Sequence, residues 1–138
     1  MNTRLQKIER LCKKYQIKAL YAFGSRAAET LHVLEDEAFQ FRESQSDLDV
    51  GVLTHSPFSI DDKVDLALEL EDTFNLPHVD LLVLNEVDAF LAANIIRGER
   101  IYAEDSYLAD EYELFVLRRA GDLIDFERER MATILREV

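Results

Sequence analysis

Apolar side chains recur at Leu5, Ile8, Cys12 and Tyr15, separated by Arg4, Lys7, Glu9, Lys13 and Lys14. That spacing predicts an amphipathic helix over residues 3–15 with the first group inward. Residues 17–23 form a short apolar run, read as a strand, which stops at Gly24-Ser25. The chain then turns into a short helix near Glu29, with Ser25 as its expected N-cap. A second strand is predicted over residues 47–53, central by its apolar content. Pro57 follows the break after it, and Ser59 with Asp62 has the spacing of a capping box. A helix to Phe74 should then bury Val64, Leu66, Ala67, Leu70 and Phe74. Residues 79–84 read as a third strand, 87–97 as a helix with Gly98 as its stop, and 100–103 as a short edge strand.

Two stretches are less regular. Between 31 and 45, Glu35, Asp36, Glu37 and Glu43 mix with Leu34, Phe39 and Phe41 without a clear period, which predicts a flap or irregular extension holding at most one helical turn. From 106 to 136 the pattern is helical, weakened only at Gly121. Leu114, Leu117, Ile124, Met131 and Leu135 fall on one side, broadened by Tyr112, Phe115, Val116, Leu123 and Phe126. That stripe is wider than one small sheet covers, so part of it is expected to meet another chain.

A chain of 138 residues with only two Pro and four Gly leaves no room for a linker, and residues 1–138 are read as one domain. No apolar run approaches the roughly 18 residues of a membrane span, and the N-terminus lacks a leader's apolar core, so the cytoplasm is the default. The single cysteine excludes an internal disulfide; Cys12, in phase with the helix's inner face, is read as a small core residue. A net charge of −12 argues against a nucleic-acid surface, which needs clustered Lys and Arg. It fits either a solvated surface or a basic protein partner. His32, His55 and His78 lack the mutual spacing of a zinc site and are read as surface or loop residues.

The chemistry lies in the strands. Alternation places Asp47 and Asp49 on one face, away from Leu48 and Val50. Two adjacent carboxylates repel unless a cation joins them. Asp80 adds a third acid on a strand otherwise built of Val and Leu. Each alone could be a strand-end residue facing water. Together, beside a Gly-Ser turn whose backbone N–H groups suit an anion, they point to a divalent cation and a phosphate-bearing substrate. Mg²⁺ is held by few carboxylates while substrate phosphates complete its shell. The third acid either completes a second metal or accepts the proton of an attacking hydroxyl.

Phe23-Gly24-Ser25-Arg26-Ala27, then Ser46-Asp47-Leu48-Asp49-Val50, then Val79-Asp80-Leu81, with a closing segment at residues 95–105, resembles the minimal nucleotidyltransferases (MNT) of the polymerase-beta superfamily. The resemblance spans essentially the whole chain. Each short motif is weak alone, and the ordered set is specific. It implies an α+β fold, a small mixed β-sheet with flanking helices and a long C-terminal helix. One departure is the 21 residues between Ser25 and Asp47, more than the family usually has. A longer loop is cheap in closure entropy and leaves the site intact.

The resemblance implies roles for particular residues. Gly24 would let the backbone approach the β/γ-phosphates and Ser25 would hold a phosphate oxygen. Asp47 and Asp49 would ligate Mg²⁺, and Asp80 would act as a metal ligand or general base. Arg26 would either steady the triphosphate or remain solvated. Arg118 and Arg119 are read as solvated or as reaching the nucleotide or a partner. The implied reaction is hydroxyl attack on the α-phosphate of ATP, expelling pyrophosphate. Relatives of this kind commonly pair with HEPN proteins, small helical ribonuclease toxins, and transfer AMP onto a toxin tyrosine. The expected function is therefore that of an adenylylating antitoxin. The alternatives are an antitoxin that neutralises by binding alone and an enzyme that nucleotidylates a small molecule.

Overall fold

The computed structural model describes residues 3–42 and 46–137. Helix α1 (Thr3–Lys14) leads into β1 (Ile17–Phe23), a 3-10 turn (Gly24–Arg26) and α2 (Ala27–Glu35). Strand β2 (Leu48–Thr54), α3 (Ile60–Phe74) and β3 (Val79–Val83) follow. A second 3-10 turn (Leu84–Glu86), α4 (Ala89–Ile96), β4 (Glu99–Ala103) and α5 (Ser106–Glu137) complete the chain.

Local chemistry sets several boundaries as expected. Ser59 and Asp62 form the reciprocal capping box of α3, and Asn75 closes that helix in the left-handed conformation. Asp88 caps α4 by accepting from the Leu91 N–H, so this helix starts two residues later than the apolar pattern suggested. Gly98 does not act through a left-handed stop: the only positive-φ glycine among the described residues is Gly24. At Gly98 a Cβ would lie 2.2 Å from the Ala22 carbonyl oxygen, so this glycine is needed for close approach to β1.

The sheet order is β3-β2-β1-β4, with β1 antiparallel to both neighbours and β2 parallel to β3. The sheet is thus mixed, β4 is an edge strand, and the fold is α+β with a long C-terminal helix. One core joins Leu20, Leu48, Val50 and Val52 to Ile8 and Cys12 of α1 and to Leu66 and Leu70 of α3. The other joins Ala19, Tyr21 and Phe23 to Ala92, Ala93, Ile95 and Ile96 of α4 and to Val116 and Ala120 of α5.

The excursion at 31–45 divides in three. Residues 31–35 continue α2 and bury Val33 and Leu34. Residues 36–42 are irregular but strapped down: Arg4 Nη1 donates to the Val33 and Phe39 carbonyls at 3.0 and 2.8 Å, and Phe41 meets Phe74 edge-on. Residues 43–45 lie outside the described residues.

Two burial expectations are corrected. Leu5 and Val64 are exposed, because α1 and α3 turn Ile8, Cys12, Leu66 and Leu70 to the sheet instead. On α5 the packed side is Ala109, Val116 and Ala120, whereas Leu114, Leu117, Ile124, Met131 and Leu135 are all exposed. Small residues permit close helix approach, and the large ones fall outside the contact. At 1.5 Å per residue α5 is about 48 Å long.

Candidate functional site

The site forms where β1 ends and β2 and β3 begin. Leu48 pairs with Val79 and Asp49 with Asp80 on the parallel neighbour, while Asp49 also pairs with Phe23, the last residue of β1. Register partners share a face, so Asp49 and Asp80 lie side by side and Asp47, two residues before Asp49, belongs to the same edge. Leu48 and Val50 go into the α1/α3 core, as alternation predicts.

Gly24 stands directly after Phe23 with φ +75°. A Cβ there would meet Asp49 Oδ2 at 2.5 Å, so the glycine both takes a backbone conformation that L side chains disfavour and leaves room for the carboxylate. Gly24 and Ser25 are exposed. The expected capping role of Ser25 is corrected: Arg26 occupies the N-cap position of α2 and Phe23 that of the 3-10 turn, neither with a side-chain cap. The Ser25 hydroxyl is thus not committed to a helix terminus.

Electrostatics concentrates on Asp49. Burial raises its pKa, and the neighbouring charges of Asp80 and Asp47 raise it further. A carboxylate made unfavourable by its own neighbours is the condition a cation relieves. An all-oxygen donor set on one strand edge suits a hard divalent ion such as Mg²⁺. Among the described residues, no three His, Cys, Asp or Glu side chains stand at metal-holding spacing. Asp47 Oδ2 lies 3.7 Å from His78 Nε2, and His78 Nδ1 lies 3.8 Å from Glu71 Oε2.

Arg26 occupies a place that neither sequence reading anticipated. It is 4% exposed. Its Nη1 donates to the Ser46 carbonyl at 3.1 Å, Nη2 donates to the Arg42 carbonyl, and Nε lies 3.7 Å from Glu29 Oε1. The guanidinium is therefore not solvated: Nη1 and Nη2 donate to backbone carbonyls, while the buried Nε faces Glu29 without a hydrogen bond. Helical position alone gave no signal for this, because the partners lie 16 and 20 residues away.

The other candidates are scattered. His55 pairs with Glu104 at the opposite end of the sheet, and His32 packs against Phe39. Only His78 borders the carboxylates. Arg118 and Arg119 are exposed on α5. A cavity of about 440 Å³, lined by Lys18, Leu53, His55 and Tyr112 among others, also opens at the far end and takes no part in the carboxylate group.

The sequence model described as "Polymerase beta, Nucleotidyltransferase" matches residues 6–107, which include Gly24, Ser25, Asp47, Asp49 and Asp80 and stop as α5 begins. The chain belongs to this nucleotidyltransferase family. Its fold is also similar to solved structures. One is a toxin–antitoxin crystal structure with AMP-PNP, at 21% identity and TM-score 0.64, covering 94% of each chain. Another is the tri-AMPylated Shewanella oneidensis HEPN toxin in complex with MNT antitoxin, at 20% identity and TM-score 0.60, covering 97% of this chain and 96% of the other. A third is the toxin–antitoxin pair MntA-HepT, at 19% identity and TM-score 0.60, with the same coverage. No curated protein matches the chain in sequence. For this nucleotidyltransferase the structural likeness is one of fold, and none of its helices is long and apolar enough to cross a membrane among the described residues.

Proposed function

We propose that this protein is an MNT-type antitoxin that transfers AMP from ATP to a hydroxyl, that of a tyrosine, on a partner HEPN ribonuclease toxin and so silences it. The observation that carries the reading is the placement of Asp49: register partner of Asp80, two residues from Asp47, and seated against the Cβ-less Gly24. The AMP-PNP and AMPylated-toxin complexes among the similar folds support nucleotide use and this class of acceptor.

In this reading the exposed Gly24-Ser25 turn receives the β/γ-phosphates through backbone N–H groups and the Ser25 hydroxyl. Asp47 and Asp49 would hold Mg²⁺, and Asp80 would complete a second ion or take the proton of the tyrosine hydroxyl. Bound Mg²⁺ supplies charge neutralisation for the triphosphate. The protein's share is to align attacking and leaving oxygens and to hold its carboxylates ready. With ATP as its substrate, the protein is read as cytoplasmic.

The test is incubation with α-labelled ATP, Mg²⁺ and the HEPN protein. Label on a toxin tyrosine is expected, and its loss in Asp47→Asn/Asp49→Asn with an unchanged melting curve. A folded wild-type chain that leaves the toxin unlabelled with Mg²⁺ or Mn²⁺ would refute the reading. A second reading, neutralisation by binding alone, draws on the exposed Leu123, Phe126, Met131 and Leu135 of α5, beyond the family-matched residues. Full protection of cells by the double Asn variant would favour it.

A further inference from the structure

Asp49 and Asp80 are fixed by the sheet ladder, but Asp47 is not. The β2 register begins at Leu48, opposite Val79, and β1 pairs no further along β2 than Asp49. Asp47 stands one residue ahead of the ladder; its carboxylate lies 3.7 Å from His78 Nε2, and its backbone needs another anchor. We infer that Arg26 is that anchor: a positioning residue that holds Asp47 for metal binding by gripping the carbonyl of Ser46. The inference rests on the proposed metal-dependent reading and assigns Arg26 a role other than phosphate contact.

The geometry is specific. The Ser46 carbonyl lies in the same rigid peptide plane as the nitrogen and Cα of Asp47. Fixing that oxygen at 3.1 Å from Arg26 Nη1 therefore fixes where the Asp47 side chain starts. The second arm of the fork, Nη2, donates to the Arg42 carbonyl. The Arg42 N–H is held as well, donating to Glu29 Oε2 at 3.0 Å, while Glu29 Oε1 lies 3.7 Å from Arg26 Nε. Arg26 and Glu29 together thus hold the Arg42 peptide at both its N–H and the following carbonyl. The Phe41 ring, 5.1 Å from the guanidinium carbon, lies against the same group.

Arg26 itself is held by the 3-10 turn it ends, the turn that carries Gly24 and Ser25. The residue thereby couples the expected phosphate turn to the expected metal ligand. A planar fork with fixed donors reaches two carbonyls at once, which a lysine ammonium on a flexible stem does not reproduce. Removal of partners that orient metal ligands typically costs about 10–100-fold in metal affinity.

The experiment measures Mn²⁺ affinity by electron paramagnetic resonance on the full chain, with a thermal melt for each variant. The expected result is that Arg26→Lys binds Mn²⁺ about tenfold more weakly than wild type. Asp47→Asn should also bind more weakly, and Arg26→Lys should add no further loss on the Asp47→Asn background. A merely structural role would weaken binding by the same factor on both backgrounds, and that outcome overturns the inference. So does an Arg26→Lys affinity equal to wild type while Asp49→Asn loses binding. If wild type binds no Mn²⁺, or Asp49→Asn binds as wild type does, the metal-dependent reading falls and the inference with it. If Arg26→Lys does not fold, the same cycle is run with Arg26→Met. Its thioether packs on Phe41 and fills the volume without offering a donor.

Discussion

The two faces of the sheet are built in opposite ways. Under α1 and α3 the contact is filled by branched apolar side chains, Leu48, Val50, Val52, Leu66, Leu70 and Val79, all buried and without a polar group among them. Under α4 and α5 the contact depends on what is left out. Gly51 leaves room for Ile95, whose Cγ2 would lie 2.5 Å from a Cβ there, and Ala19, Ala92, Ala93 and Ala120 keep helix and strand close. That face also admits polar groups. The Tyr21 hydroxyl donates to Glu113 at 2.7 Å, and Arg100 Nη1 donates to Glu113 and Asp110 at 2.7 and 2.8 Å. It ends at Gly24, Asp49 and Asp80. The filled face is thus expected to carry much of the stability, and the chemistry sits at the end of the face where side chains have been trimmed.

The largest expected effect separates those two roles. Leu66→Ala removes a fully buried side chain from the filled face and should cost about 2–5 kcal/mol in a urea titration. Below its melting temperature the variant should still transfer AMP at a rate close to wild type. A loss of transfer in the folded variant would show that the faces are not separable.

Gly24→Ala reverses the pattern. The new Cβ would press on Asp49 Oδ2 at a φ of +75°, where alanine is disfavoured by roughly 1–2 kcal/mol. Displacing a reacting group by about 1 Å costs on the order of 100-fold. A fall of that order in kcat is expected, measured as toxin labelling, with a smaller change in melting temperature than Leu66→Ala produces.

The sequence made the filled face and the carboxylates legible for the same reason. Period-two alternation is a local signal, and in Leu48-Asp49-Val50 it separates core from site without any tertiary information. The capping box at Ser59 and the edge strand at 99–103 are local in the same sense. What escaped depends on residues far apart in the chain. Arg26 finds its carbonyls 16 and 20 residues on, across the acidic excursion whose charges also hid the end of α2. The packed side of α5 is not legible either, because the large apolar residues dominate its pattern. The contact is instead made through Ala109, Val116 and Ala120, whose small size carries no strong periodic signal.

A smaller effect tests the polar part of the trimmed face. Burial, then the hydrogen bond to Glu113, raises the pKa of Tyr21 well above its usual value, so the folded phenol stays protonated and donates. Tyr21→Phe should cost about 1 kcal/mol, since Glu113 keeps Arg100 as a partner. The sign of the pH dependence follows from linkage. A folded pKa above the unfolded value means the contribution is complete below about pH 10 and declines as pH rises past it, where the unfolded tyrosine ionises. The gap between wild type and Tyr21→Phe in denaturant titrations should therefore be flat from about pH 6 to 9 and narrow above about pH 10. A gap that already closes near neutral pH would mean that the Glu113 contact is not what stabilises this face.

The smallest expected effect is a control, placed where α5 leaves both faces. Gly121 follows the last buried residue of the helix, Ala120, and a Cβ there would meet nothing within 4 Å. It is not among the positive-φ residues, so alanine fits its backbone without strain. Unlike Gly24, Gly51 and Gly98, it is a glycine that no close approach requires. In a helix interior glycine costs roughly 0.8–1.0 kcal/mol relative to alanine, through the backbone freedom it surrenders on folding. Gly121→Ala should therefore stabilise the protein by up to about 1 kcal/mol in urea titrations. Binding and labelling of the toxin should not change if the helix is already formed. A weaker interaction with the toxin in this variant would instead mean that α5 must bend at Gly121 when the partner binds. The glycine would then belong with those whose missing side chain is used.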